Sequence, residues 1–283
     1  MNDALIKKIN QYFHDEEAII FSERHKNRIS CESLFYSNFF ADFFHKSKKR
    51  IKILDIGTGT GLVAKAMPEA DFLFVCTDIS QNMLDVTRKT LKNEKGTFEY
   101  VSCDAEKLPF ASELFDVVTC NAAMHHMPST KNFTSEFNRV LVPGGTAILG
   151  FEANQKFWST KVISLAHRIL SKIGMKDKEG DIGYNAICEK VNTRLLKEGV
   201  IKKPMMVHEI LSNVDVHSPN AGEKIDYSKG FDVTKLLNEL FINYSAKVVY
   251  HYEGISGILK VLIKTFYPKA APQFSLVLKK KIL

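Results

Sequence analysis

Arg50-Ile51-Lys52-Ile53-Leu54-Asp55-Ile56-Gly57-Thr58-Gly59-Thr60-Gly61 joins an apolar run to three alternating glycines. The run Ile51-Ile53-Leu54-Ile56 has the continuous apolar character of a strand buried in a parallel sheet. The glycines then make a turn whose bare backbone lets a ligand come close. Leu62-Val63-Ala64-Lys65-Ala66-Met67 can open the next helix. A phosphate-binding Walker loop would end in Gly-Lys-Ser/Thr, and this loop does not. The dinucleotide fingerprint is Gly-x-Gly-x-x-Gly; here the spacing is Gly-x-Gly-x-Gly, and Leu62 stands where the third glycine of that pattern would fall. A large residue there argues against the close helix approach of a pyrophosphate site. Taken alone, the loop also fits a plain tight turn between strand and helix.

Further signals lie downstream. Phe72-Leu73-Phe74-Val75-Cys76-Thr77 reads as the next buried strand and ends on Asp78, about 20 residues beyond Gly57. An acid at that strand tip can accept from both hydroxyls of a ribose. Its alternative use is to cap the helix read over 80–92, but Ser80 already suits that cap. A third strand, Thr97-Phe98-Glu99-Tyr100-Val101, leads to Asp104, placed to accept from an exocyclic amine. A fourth, Phe115–Cys120, runs into Asn121-Ala122-Ala123-Met124-His125-His126-Met127-Pro128.

Four stretches in order, Leu54–Gly61, Thr77-Asp78-Ile79-Ser80, Asp104–Phe110 and the strand ending in Asn121-Ala122, together with Pro143-Gly144-Gly145, resemble the class I S-adenosylmethionine-dependent methyltransferases, specifically their type 11 small-molecule branch. The resemblance covers about residues 50–152. It implies a doubly wound, mostly parallel seven-stranded α/β sheet of Rossmann-like type with an antiparallel last strand, and S-adenosylmethionine as cofactor. It places Asp55, Gly57, Thr58, Gly59, Gly61, Asp78, Ile79, Asp104, Ala105 and Asn121 at that cofactor. Gly57 and Gly59 would pass under its methionine part and Asp55 would help hold the ammonium. Asp78 would take the ribose hydroxyls and Ile79 would pack on the adenine face. Asp104 and the backbone of Ala105 would read the adenine edge, and Asn121 would face the methionine and the methyl group.

The rest of the chain divides around this core. Residues 1–50 are rich in aromatics, with helices read at about 3–13 and 30–46, and are expected to form a lid. Residues 51–152 form the cofactor-binding core, with the fifth strand at Gly145–Glu152. Residues 153–242 read as a helical insertion capping the acceptor site, with helices at 157–173 and 179–198. Residues 243–283 return to strand character at 243–252 and 273–280 and are expected to complete the sheet.

The chain has 283 residues, 45% of them hydrophobic, enough for a sizeable core. Its apolar stretches are short and broken by charge, and the N-terminus lacks the apolar core of a secretory signal. The five cysteines, Cys31, Cys76, Cys103, Cys120 and Cys188, form no Cys-x-x-Cys pair and read as buried reduced thiols of a cytoplasmic protein. The net charge of +7 falls in the second half, residues 1–150 being close to neutral. That excess can serve nucleic acid, an anionic membrane surface or an anionic substrate, or be a solvated basic face.

Methyl transfer from a sulfonium is an in-line displacement, for which a protein supplies alignment, exclusion of water and sometimes a base. His125 and His126 follow the fourth strand and are the best base candidates, since imidazole takes a proton near neutral pH. Glu152 is a weaker candidate, and His14, His25, Tyr12 and Tyr36 come into reach if the N-terminal helices fold over the site. No Asn/Asp-Pro-Pro-aromatic run follows the fourth strand, which disfavours nucleobase amines and nucleic acid. Cys120 precedes the site and suits a cytosine nucleophile poorly. No metal is expected, since adjacent histidines do not share one helical face. The expected acceptor is a small or lipid-like molecule, with oxygen favoured over nitrogen or carbon. A peripheral membrane contact is also expected, from basic amphipathic stretches at 157–173 and 254–266, which also read as core packing. The alternatives are a nicotinamide-dependent oxidoreductase and a non-catalytic cofactor-binding protein.

Overall fold

The structure is a computed structural model and describes residues 2–46, 50–172, 183–219, 228–253, 255 and 257–282. The chain opens with three helices, α1 (Asp3–Glu17), α2 (Phe21–Arg24) and α3 (Lys26–Lys46). The core follows as β1 (Ile51–Ile56), α4 (Leu62–Lys65), β2 (Phe72–Asp78), α5 (Gln81–Thr90), β3 (Thr97–Ser102), β4 (Phe115–Asn121), α6 (Thr130–Val140) and β5 (Leu141–Ala153). After it come α7 (Gln155–Ser159), α8 (Lys161–Lys172), α9 (Tyr184–Lys197), α10 (Val207–Val214) and α11 (Val233–Lys235), which continues into a π-turn, Leu236–Leu240. The chain closes with β6 (Tyr244–His251), α12 (Gly257–Phe266) and β7 (Gln273–Lys280).

The seven strands lie in the order β3-β2-β1-β4-β5-β7-β6. All neighbours from β3 to β5 are parallel, and β7 runs antiparallel between β5 and β6. This is the expected doubly wound sheet, with its switch point between β1 and β4, where the crossovers change face and a crevice opens at the carboxyl ends of the strands. β1 is buried on both faces, as its unbroken apolar run requires. One face is covered by α6 and the 233–241 segment, where Phe133, Phe137 and Phe241 pack on Leu54, Val118 and Leu149. The other is covered by α3, α4 and α5, with Tyr36, Phe40, Val63 and Leu84 on Ile53, Phe74 and Ile148. Phe40 is fully buried, so its truncation to alanine costs about 3–5 kcal/mol.

Some local readings change. No helix separates β3 from β4 among the described residues; Pro109 removes a backbone donor there. The helix expected at 157–173 is two, broken at Thr160; residue 173 lies outside the described residues, as do 179–182 of the next expected helix and 47–49 of the expected linker. β5 begins four residues early because Val142–Gly145 bulges out of its pairing with β4. Cys31 is exposed, not buried. No helix of the described residues is long and apolar enough to cross a membrane.

Candidate active site

The glycine loop takes its shape from positions no other residue suits. Gly57, Gly59 and Gly61 have φ of +69°, +55° and +88°, in the left-handed region. A Cβ on Gly57 would also lie 2.7 Å from the Cβ of Ala123, so the loop packs directly on the turn after β4. Beneath it, Asp55 is buried and accepts from Thr58 Oγ1 at 2.8 Å and Thr119 Oγ1 at 2.6 Å. Burial pushes its carboxyl up to about 7, against the pull of the two hydroxyls. The Thr58 amide donates to the Thr77 carbonyl at 2.8 Å, tying the loop to β2.

Asp78 ends β2. Its Oδ2 accepts from the Gly59 amide at 3.0 Å and its Oδ1 from the Ser80 amide at 2.9 Å. The cap of α5 is Ser80, whose Oγ accepts from the Met83 amide. Burial raises the Asp78 pKa. Ile79 lines the cavity beside it. Asp104 follows β3 and accepts from the Glu106 amide through Oδ1, but its Oδ2 is held by Lys7 Nζ at 2.7 Å. Lys7 also reaches Glu106 at 2.8 Å. Burial works to lower the Lys7 pKa, and the two carboxylates outweigh it and raise it. Lys7 carries no motif and escapes sequence reasoning, because α1 meets this edge only in the fold. Ala105 is buried and lines the same cavity.

The chain turns sharply at the ends of β4 and β5. Ala122 and Phe151 both adopt positive φ, +47° and +54°, a strain that surrounding structure must hold in place. Asn121 Nδ2 donates to Glu32 of α3 at 2.7 Å. Its Oδ1 and the hydroxyl of Tyr36 are buried without a hydrogen-bond partner among the described residues. Both sit where a Cβ of Gly150 would be, so the missing side chain at 150 makes room for them. Glu32 was not foreseen; it lies 89 residues from Asn121 along the chain.

His125 and His126 occupy a 3₁₀ turn, Met124–His126. Glu152, fully buried at the end of β5, accepts from the amides of Ala123 at 3.1 Å and Met124 at 2.8 Å. It also binds His125 Nδ1 at 2.9 Å. A carboxylate only accepts, so Nδ1 carries a proton, while Nε2 stands 3.7 Å from Asp215 Oδ1. His126 Nδ1 lies 3.0 Å from Asp215 Oδ1 and 2.8 Å from the Val214 carbonyl. Burial would lower the His126 pKa, but Asp215 outweighs it and pushes it up to about 9; the same pairing lowers Asp215. The ring of His14 stands edge-on to His126 at 4.8 Å. Behind it, Glu17 joins His14 at 3.0 Å, His25 at 3.3 Å and Arg24, and is held well below the usual carboxylate range despite its burial.

The ring nitrogens of His125 and His126 and an oxygen of Asp215 all lie within 4.8 Å of one another. The tight turn brings adjacent rings onto one carboxylate, so the helical-face argument against shared ligation does not hold here. A His126 protonated near neutral pH is nonetheless a poor metal ligand.

Asp55, Gly57, Thr58, Gly59, Asp78, Ile79, Asp104, Ala105, Asn121, His125 and His126 line one cavity of about 280 Å³, together with Lys7, His14, Glu17, His25, Glu32 and Asp215; Gly61, Tyr36, Glu106 and Glu152 stand behind its wall. Its walls come from the carboxyl ends of β1, β2 and β4 and the segment after β3, from Phe13, His14 and Phe21 of the N-terminal helices, and from Tyr184, Leu211 and Val214 of α9 and α10. Ile9, Tyr12 and Phe13 pack on Ile187, Val191 and Ile210, which holds α1 against α9 and α10.

A family model described as a methyltransferase domain matches residues 54–149. The chain is 31% identical over 187 residues to the ubiquinone/menaquinone biosynthesis C-methyltransferase UbiE of Neisseria meningitidis serogroup C, covering 62% of this chain and 72% of that one. It is 30% identical over 177 residues to the protein of the same name from Cupriavidus taiwanensis, covering 60% and 71%. Among solved structures, a chain of the complex between the Haloferax volcanii Trm112 methyltransferase activator and a methyltransferase superposes with a TM-score of 0.56 at 11% identity, over 95% of this chain and 98% of that one. That last likeness speaks to the fold alone.

Proposed function

The chain belongs to the class I S-adenosylmethionine-dependent methyltransferases, and we propose that it methylates a ring carbon of a hydroxylated, lipid-like aromatic acceptor, with His125 taking the hydroxyl proton. The observation that carries this reading is the Glu152–His125 pair, which makes Nδ1 of a cavity-lining ring the donor and leaves Nε2 for the acceptor.

The residues present fit the cofactor. Asp78 has acceptor capacity left on both oxygens for the ribose hydroxyls. The partnerless Oδ1 of Asn121 and the carboxylate of Glu32 suit the ammonium and the sulfonium. Gly57 and Gly59 leave the loop open to the methionine part, with Asp55, Thr58 and Gly61 holding its shape. Ile79 and Ala105 offer apolar contact to the adenine. Asp104 has one acceptor site left on each oxygen beside the Glu106 amide and Lys7, so the adenine amine and α1 share one carboxylate. Bound S-adenosylmethionine supplies an electrophilic methyl group and a neutral thioether leaving group.

The chain's own part follows from the geometry. His125 Nε2 removes the hydroxyl proton, which sends electron density to the adjacent ring carbon. That carbon forms the new bond to the methyl group as the carbon–sulfur bond breaks, and the ring proton then leaves to solvent or a base to restore aromaticity. Glu152 keeps His125 in the competent tautomer and offsets the charge of the imidazolium. The ion pair of His126 with Asp215 holds the His126 ring in place beside His125.

Carbon is preferred to oxygen because the relatives matched are carbon methyltransferases; the coarser statement, methyl transfer from S-adenosylmethionine, does not depend on that choice. The segments 1–50 and 153–242 act in this reading as lid and acceptor cap around the 51–152 core, with 243–283 closing the sheet. A peripheral membrane contact accompanies an acceptor of this kind. The test uses S-adenosylmethionine with a deuterated methyl group and a reduced, demethylated quinol. Mass spectrometry and NMR then locate the label: on a ring carbon as proposed, or on oxygen, which overturns the acceptor atom. Release of no S-adenosylhomocysteine with quinols of any tail length overturns the acceptor class.

A further inference from the structure

Two helices away from the cofactor cavity carry an apolar face open to solvent. α8 exposes Val162, Leu165 and Ile169, and α12 exposes Val261, Leu262 and Phe266, each at 48–69% of its full area. On their inner sides Ile163 of α8 and Leu259 and Ile263 of α12 pack with Phe157 and Trp158 of α7. The two helices therefore pack on one shared apolar cluster. Soluble surfaces scatter large apolar residues singly; a cluster of six marks an interaction surface.

The charge around this face is one-sided. Residues 154–172 and 257–272 contain Lys156, Lys161, Arg168, Lys172, Lys260, Lys264 and Lys269 and no Asp or Glu. In a chain that is one quarter charged, two stretches of this length without an acid are a specific pattern. Apolar side chains on helices whose charges are all basic complement an anionic lipid surface: the apolar groups enter the acyl boundary while lysine stems reach back to the headgroups. The same one-sided charge opposes self-association, because two copies would bring like charges together. The helices have 12 and 10 residues, about 18 and 15 Å long, too short to span a bilayer and suited to lying on one.

The unit also sits where a membrane contact would matter. α7 follows the carboxyl end of β5, and α12 connects the carboxyl end of β6 to β7. That is the edge of the sheet on which Asp78, Asn121 and Glu152 lie. We propose that α8 and α12 form a docking surface for an anionic lipid bilayer, which brings the acceptor side of the molecule to the interface where a lipid-like acceptor resides. The placement deepens the acceptor reading above, but lipid docking is measured without acceptor or methyl transfer, so the two fail separately.

Co-sedimentation of the full chain with extruded vesicles tests it. The expected result is binding to phosphatidylcholine containing about a quarter phosphatidylglycerol, at least about tenfold weaker binding to phosphatidylcholine alone, and loss of binding with rising salt. Leu165→Glu with Val261→Glu and Phe266→Glu should lower the partition by at least about tenfold, and Lys260→Glu with Lys264→Glu by about thirtyfold. Calorimetry with S-adenosylhomocysteine on each variant confirms that the fold is intact, since none of these residues touches the cofactor cavity. No binding to the anionic vesicles, or binding that survives the triple substitution in a folded variant, overturns the proposal. So does light scattering that finds a dimer dissolved by the triple substitution while vesicles stay unbound, which would assign the face to a second copy.

Discussion

Replacing Asp78 with alanine removes the only acid at the tip of β2, and the structure sets the size of the loss. A carboxylate offers about four acceptor sites. The Gly59 and Ser80 amides use one on each oxygen, leaving one on each for the two ribose hydroxyls. A hydrogen bond to a charged acceptor contributes about 1.5–3 kcal/mol net. Water entering the vacated space recovers part of this, so the two together amount to about 2–4 kcal/mol. At about 1.4 kcal/mol per tenfold, Asp78→Ala should weaken S-adenosylhomocysteine about 30- to 700-fold in isothermal titration calorimetry. Asp78→Asn keeps the shape but sets an amide donor against one of the two loop amides, and should lose about 10- to 100-fold. Because Asp78 also anchors the glycine loop, a melting curve must accompany each titration. 5′-Methylthioadenosine separates the two effects: it keeps the ribose and lacks the amino acid part, so a lost ribose contact weakens it by the same factor. Affinities within about threefold of the parent for both ligands in both variants would refute the ribose assignment.

Three further outcomes follow from the same geometry. Glu152→Gln should turn His125 into the tautomer that cannot accept a proton, lowering kcat about 10²- to 10⁴-fold with S-adenosylhomocysteine affinity unchanged; equal loss in both would make Glu152 merely structural. The His126–Asp215 pair raises the His126 pKa from 6.5 to about 9. Its stabilisation is therefore complete below pH 6.5 and lost as pH rises through about 9. Melting temperature measured across that window should fall, and Asp215→Asn should flatten the fall; a flat profile in the parent protein would remove the pairing. Gly57→Ala forces a side chain into φ of +69° and 2.7 Å from the Ala123 methyl. It should cost about 1–3 kcal/mol of stability and at least about tenfold in cofactor affinity, with Ala123→Gly in the same chain relieving the contact but not the dihedral.

The features readable along the chain were those set by local geometry. Alternating glycines, an acid at the tip of each of β2 and β3, and an unbroken apolar β1 state what the backbone must do within a few residues. They carry the resemblance that implies the sheet and the methyl donor. Ser80 as the cap of α5 was legible for the same reason. Lys7 on Asp104 and Glu32 on Asn121 were not, because they join residues 97 and 89 positions apart, and nothing in α1 or α3 marks one turn of helix as facing the cavity. His125 and His126 stood out by residue type, but their different roles depend on partners from β5 and from the end of α10. Glu152 selects the tautomer of one, and Asp215 fixes the charge of the other. Local sequence determines which backbone shapes and chemical groups are available. Which of them act together is decided only when burial brings distant elements to one edge of the sheet, since a proton position or an ion pair is an energy between neighbours in space.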